Sequence, residues 1–282
     1  MVFESLVKAK NAEKRPWLVF LLGILYSSIA VIFGLLLFKR DIGILVVSII
    51  VFASIPLMYK IVRLEEKKDK RILKERKLLM EHRKALVSFV ALFFGVLISL
   101  SLWYVFLPSE NAKEVFSSQI KEVNIVEREF SGNAVKPGDF FRIFFNNFKV
   151  LGFSFVFSFF FGAGAIFILT WNASLIAVAV GSFVRESLSS VSGSFGFVKM
   201  AAYFGAFSYG LLGYLTHGIF EIVAFFIAGL AGGIISVAVI RHDFFDKKFK
   251  RIFLDSLWLL GISVVVLLIG ALVESVLSPL LF

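Results

Sequence analysis

Apolar residues occur in long runs along this chain, and short polar breaks separate the runs. The runs that are long enough to cross a bilayer, at about 18 residues or more, are residues 17–38, 42–59, 86–107, 150–169, 197–215, 219–240 and 252–277. A span needs a helix because the backbone groups find no water in the hydrocarbon core. The pattern therefore predicts an all-α fold, a polytopic helical membrane protein with about seven spans.

A shorter apolar run covers residues 175–184, between Asn172 and the charged pair Arg185 and Glu186. We interpret Asn172 as a tight turn, and a run of only about ten apolar residues is too short to cross a bilayer. This pattern predicts a half-helix or re-entrant element that the surrounding protein shields from lipid.

Basic residues cluster in three places, which predicts the orientation of the chain. The clusters are residues 8–15, 60–84 and 241–251. Cytoplasmic loops carry an excess of Lys and Arg, so all three should face the cytoplasm. We therefore expect a multi-pass protein of the cytoplasmic membrane, with the N-terminus inside and the C-terminus outside.

The same pattern divides the chain into three parts. Residues 1–59 form an N-terminal transmembrane hairpin, residues 60–85 a basic cytoplasmic helix, and residues 86–282 a membrane domain. The basic helix fits a surface that contacts anionic lipid headgroups, although a solvated linker explains the same pattern equally well. Within the membrane domain, residues 109–139 are balanced in charge and carry one apolar helical face, which predicts an amphipathic segment on the outer surface.

Composition excludes several classes of function. Hydrophobic residues make up 59% of the 282 residues, including 36 Phe, so one soluble core could not bury them. The chain has no Cys and three His, which excludes disulfides and makes a zinc site improbable. The net charge of +10 lies beside the apolar runs, so we expect lipid and not nucleic acid as its partner. No metal and no cofactor is predicted.

Polar residues inside the apolar runs are the candidate site. His217 and Glu221 are four residues apart, so they share one helical face and can share a proton. Such a pair fits a proton or ion pathway, and it also fits a hydrogen-bonded contact that holds helices together. The further polar candidates are Asn146, Asn147, Asn172, Arg185, Glu186 and Glu274.

Small residues recur in the second half of the chain at spacings that suit helix packing. The candidate packing positions are Gly162, Gly164, Gly210, Gly213, Gly229, Gly232 and Gly233. Gly229 and Gly233 form a GxxxG pair, which fits either a homo-oligomer or packing within one chain.

Several stretches together resemble the stage II sporulation protein M family. They are FxxIFxNNxxVxxxxF at residues 140–155, WNASLIAVAVG at 171–181, HGxxE at 217–221, IAGLAGG at 227–233 and ESVLSP at 274–279. The resemblance covers about residues 86–282, whereas the N-terminal hairpin is an extra feature. It implies an integral membrane protein that brings no catalytic residues, and in sporulating members a scaffold that works with cell-wall hydrolases.

These patterns lead to two functional hypotheses. The first is a non-enzymatic membrane scaffold or assembly protein that recruits other membrane proteins. The second is a channel, carrier or lipid-handling protein that uses the polar site around His217 and Glu221. Stability and flux measured on the same Glu221 variants would separate the two.

Overall fold

The computed structural model describes residues 9–37, 42–71, 75–131, 140–158, 163–189, 197–241 and 247–281. These residues are almost entirely helical, which confirms the predicted all-α fold. The helices are α1 (Ala9–Lys14), α2 (Pro16–Leu37), α3 (Ile42–Arg71), α4 (Glu75–Phe106), α5 (Ser109–Val115), α6 (Ser117–Ser131), α7 (Phe140–Phe157), α8 (Ala163–Ser189), α9 (Phe197–Arg241) and α10 (Lys247–Leu281).

Seven of the described helices contain a stretch that is long and apolar enough to cross a membrane, as predicted. The stretches are Pro16–Leu37, Ile42–Lys68, Met80–Phe106, Phe140–Phe157, Ile166–Leu188, Gly218–Ile240 and Phe249–Val276. The chain is therefore a multi-pass membrane protein.

The positions of three elements differ from the prediction. Residues 175–184 lie inside the continuous helix α8 and belong to its span, so they are not a re-entrant element. Asn172 does not break α8 because its Nδ2 donates a hydrogen bond to the Ile168 carbonyl of the same helix, at 2.8 Å. The shorter apolar helical stretch lies instead at Met200–Leu212, in the first part of α9.

Two predicted span boundaries are also wrong. The run 150–169 is not one crossing, because α7 ends at Phe157 and a new helix, α8, begins at Ala163. The run 197–215 is not separated from 219–240, because α9 continues through both. Hydropathy does not mark where a helix ends or continues inside apolar sequence.

The basic residues 60–84 do not form one separate helix. Helix α3 continues past its apolar residues to Arg71, and α4 begins at Glu75, before its own apolar residues. The basic segment thus consists largely of the extended ends of two spans.

Helix α9 is the centre of the bundle. In an 18-residue apolar window of its span 89% of the residues are buried, compared with 17% in the corresponding window of α7. It packs against α3, α4, α7, α8 and α10. Small side chains line it at close intervals, with Ala224, Ala228 and Ala231 fully buried, which lets neighbouring helices approach.

Among the predicted packing glycines, Gly232 and Gly233 lie against other helices. A methyl group at Gly232 would lie 2.3 Å from the Phe155 carbonyl oxygen of α7, and one at Gly233 would lie 3.1 Å from Val62 of α3. Gly210 faces Phe183 of α8 at 3.1 Å. Gly162 lies outside the described residues. Gly164 lies in α8 and Gly213 in α9, but the contacts of these two glycines are outside the described part of the structure.

A close crossing that was not predicted from the sequence joins α2 to α4. Gly23 and Gly95 face each other, and a methyl group at Gly95 would lie 2.1 Å from the Phe20 carbonyl oxygen. Beside them, Ser28 accepts a hydrogen bond from Trp103 Nε1 at 3.1 Å. The first helix of the N-terminal hairpin is therefore packed backbone to backbone against the rest of the bundle.

We expect Gly95→Ala to destabilise the protein by roughly 1 to 3 kcal/mol, because the methyl group forces α2 and α4 apart. The measurement is the melting temperature of the purified protein in detergent. Gly261→Ala is the matched control, since a methyl group there meets nothing within 4 Å. Equal melting temperatures for the two variants would contradict this packing.

Candidate functional site

Three of the predicted polar residues meet where α7, α9 and α10 come together. Asn147 Nδ2 donates a hydrogen bond to Glu221 Oε1. The side chain of Glu274 lies beside the carboxyl group of Glu221. We call Asn147, Glu221 and Glu274 the carboxyl cluster.

A glycine of α10 brings Glu274 to Glu221. A methyl group at Gly270 would lie 2.9 Å from Phe220 Cβ and 3.6 Å from Glu221 Cγ. The absence of a side chain at Gly270 lets the backbone of α10 approach α9 at this level. Glu274 follows one helical turn later, so it lies on the same face of α10. Glu274 was a polar candidate from the sequence, whereas Gly270 was not among the candidate packing glycines.

The carboxyl cluster links the helices that contribute its residues. The Asn147 amide donates to Glu221, and this contact fixes the rotation of α7 against α9. The arrangement can thus join three helices at one junction.

The predicted partner of Glu221, His217, lies one turn earlier on α9, and its side chain lies outside the described residues. Asn146 is next to Asn147 in sequence but points about 100° away from it around the axis of α7, and it is exposed. In the part of the chain that the structure describes, the neighbours of Glu221 in the carboxyl cluster are consequently Asn147 and Glu274.

Arg185 lies away from the carboxyl cluster and binds the end of α4. Its Nη2 donates to the carbonyl oxygens of Tyr104, at 2.6 Å, and of Leu107. Its guanidinium carbon also lies 5.1 Å from the centre of the Tyr104 ring. A cation is favourable at a helix C-terminus, where carbonyl groups lack helical partners. Arg185 therefore ties α8 to the end of α4, whereas Glu186 is exposed.

Gln119 joins the amphipathic segment to the bundle, although the sequence did not mark it as a candidate site residue. It is buried, and its Nε2 donates to the Gly43 carbonyl at 3.2 Å and to Ser174 Oγ at 3.3 Å. Helix α6 is thus anchored to α3 and α8 by one amide side chain.

A buried charge network connects α1, α3 and α4, and the sequence analysis did not identify it. Lys68 Nζ lies 2.6 Å from Glu65, 2.9 Å from Glu13 and 3.6 Å from Glu81. His82 Nδ1 lies 2.7 Å from Glu65, and both side chains are buried. Apart from Glu13 of α1, these residues belong to the basic segment 60–85 that we interpreted as a surface helix.

The network changes the acidity of Glu13. Burial and the adjacent Glu65 raise the pKa of Glu13 to about 7, although Lys68 acts in the opposite direction. Three carboxyl groups share the Lys68 ammonium group, so its attraction for Glu13 does not outweigh the cost of burying the Glu13 charge. The network joins α1 to the α3 and α4 ends that carry the basic residues.

A small apolar cavity of about 40 Å³ lies between α3, α4, α8 and α9. Phe89, Phe93 and Phe226 are among its lining residues, and Thr170 is its polar neighbour. Glu221 does not border it. Among the described residues, no group of His, Asp and Glu side chains could hold a metal ion.

The family model for stage II sporulation protein M matches residues 88–279, which is more than half of the chain. The matched region contains the carboxyl cluster and Arg185 and leaves out α1, α2 and α3. No curated protein and no solved structure matches the chain.

We expect Glu221→Leu to lower stability by roughly 1 to 2 kcal/mol, because Asn147 and Glu274 lose their partner inside the membrane. Glu221→Gln should change stability less, since its amide oxygen can still accept the Asn147 hydrogen bond. Melting in detergent measures both.

Glu122→Leu is the control for a nonspecific effect of losing a carboxylate, because Glu122 is exposed on α6. A Glu221→Leu protein as stable as the Glu122→Leu protein would show that the carboxyl cluster does not hold the helices together.

Proposed function

Because the chain belongs to the stage II sporulation protein M family, we propose that it is a non-enzymatic membrane scaffold that positions partner proteins at the cytoplasmic membrane. The observation that carries this proposal is that the intramembrane polar side chains contact one another. Asn147 donates a hydrogen bond to Glu221, and Glu274 lies beside Glu221, so these side chains connect three helices. Polar groups engaged in this way suit a bundle of fixed shape.

Two further contacts support a fixed shape. Arg185 connects α8 to the end of α4, and Gln119 connects α6 to α3 and α8. Each contact ends a helix or anchors a surface segment. A scaffold needs such anchoring because it must present its surfaces in constant positions.

The cavity does not favour transport. A volume of about 40 Å³ with an apolar lining has room for little more than one water molecule and offers it few hydrogen bonds. The cavity is also separate from Glu221, so it provides no polar route to the carboxyl cluster.

We further propose that the basic ends of α3 and α4 face the cytoplasm and form the partner-binding surface. Arg63, Lys67, Arg83 and Lys84 are exposed there, while Lys68 is held in the buried network. Exposed cations attract acidic protein surfaces and anionic headgroups. This proposal agrees with the odd number of candidate spans, because seven crossings would leave this surface and the N-terminus on one side and the C-terminus on the other.

Photo-crosslinking in native membranes tests the scaffold proposal. A photoreactive residue at position 63 should yield discrete protein adducts, because Arg63 is exposed on the proposed surface. The same residue at position 121 is the control, since Lys121 is exposed on α6, away from the ends of α3 and α4. Absence of protein adducts at position 63, or identical adducts at both positions, would argue against this surface.

Single-cysteine labelling tests the orientation, and the chain suits it because no native Cys is present. An impermeant maleimide should label Lys121→Cys in intact cells and Lys67→Cys only after the membrane is opened. Both positions are exposed, so accessibility does not depend on unfolding. Labelling of position 67 from outside would reverse the orientation.

A further inference from the structure

The outward face of α7 carries polar residues in a span that few other helices cover. Only 17% of the residues in this span are buried, the lowest share among the seven described spans. Asn146 and Lys149 are exposed on this face. Polar residues in a span usually face the protein interior, because exposure to lipid tails is costly.

The rotation of α7 is fixed, so these residues cannot turn inward. Asn147 is committed to Glu221. Asn146 and Lys149 lie one and two residues from Asn147 and therefore point to other sides of the helix. Their exposure is a consequence of the carboxyl cluster.

The polar residues form one stripe. Arg142, Asn146 and Lys149 follow each other at helical spacings of four and three residues, and all three are exposed. Arg142 also makes contacts of its own. Phe145 and Phe148 flank the stripe and are 56% and 41% exposed. The face thus combines cationic and amide donors with aromatic surface.

We propose that this stripe binds the phosphate headgroup of an acidic phospholipid. Ammonium, guanidinium and amide groups all donate to phosphate oxygens, and the flanking Phe side chains suit acyl chains. Side chains of a helix tilt toward its N-terminus, so the Lys149 ammonium reaches back toward the Phe140 end and its membrane surface.

A second copy of the chain does not fit the same face. Two copies related by an axis along the membrane normal would place their α7 helices side by side in the same direction, with Lys149 opposite Lys149. Like charges at that distance repel in a medium of low dielectric constant. An anionic occupant satisfies the stripe without this cost.

Native mass spectrometry of the full chain with added phosphatidylglycerol tests the proposal. Lys149→Met keeps the length of the side chain and removes its charge, so affinity for this lipid should fall about fivefold, the equivalent of about 1 kcal/mol for one Lys near a headgroup. Lys149→Arg should restore binding. Affinity for phosphatidylcholine should be weaker and the same in all variants.

Lys121→Met is the matched control, because it removes an exposed cation from α6 and should leave lipid affinity unchanged. Equal phosphatidylglycerol affinity in wild type and Lys149→Met would overturn the proposal. Displacement of the lipid by an equal concentration of inorganic phosphate would indicate a free phosphate site instead. A photoreactive residue at position 149 that crosslinks to protein and not to lipid in native membranes would indicate an acidic membrane protein, and would also overturn it.

Discussion

The hydrocarbon core supplies no hydrogen bonds, and this constraint explains the main contacts of the bundle. A polar side chain within a span must find a partner in the protein or reach the membrane surface. The hydrogen bond from Asn147 to Glu221 meets this requirement and at the same time fixes α7 against α9. The neighbouring Glu274 brings α10 into the same junction.

Close backbone approach is the second source of cohesion. Helices in lipid gain little from the hydrophobic effect when they associate, so close van der Waals contact must hold them together. Gly23 and Gly95 provide it between α2 and α4, and Gly270 provides it between α10 and α9. The N-terminal hairpin is consequently integrated into the bundle, although the family match begins at residue 88.

The sequence predicts the number of spans well because the cost of transferring residues into lipid accumulates along a run of residues. It does not predict where helices end inside apolar runs, because apolar residues are equally favourable in lipid wherever within the run a helix begins or ends. The turn predicted at Asn172 was wrong because the Asn172 amide donates a hydrogen bond to a carbonyl group of its own helix. The bond between Glu65 and His82 also escaped prediction, because it depends on how α3 and α4 are rotated.

Helix α7 shows how one contact determines two surfaces. Its inner face is satisfied by Glu221, and this bond leaves Asn146 and Lys149 on the outer face. A helix that only had to cross the membrane would gain stability from apolar residues at those two positions. Their presence is therefore best explained by a partner outside the bundle, and the positive charge of the stripe limits that partner to an anionic group.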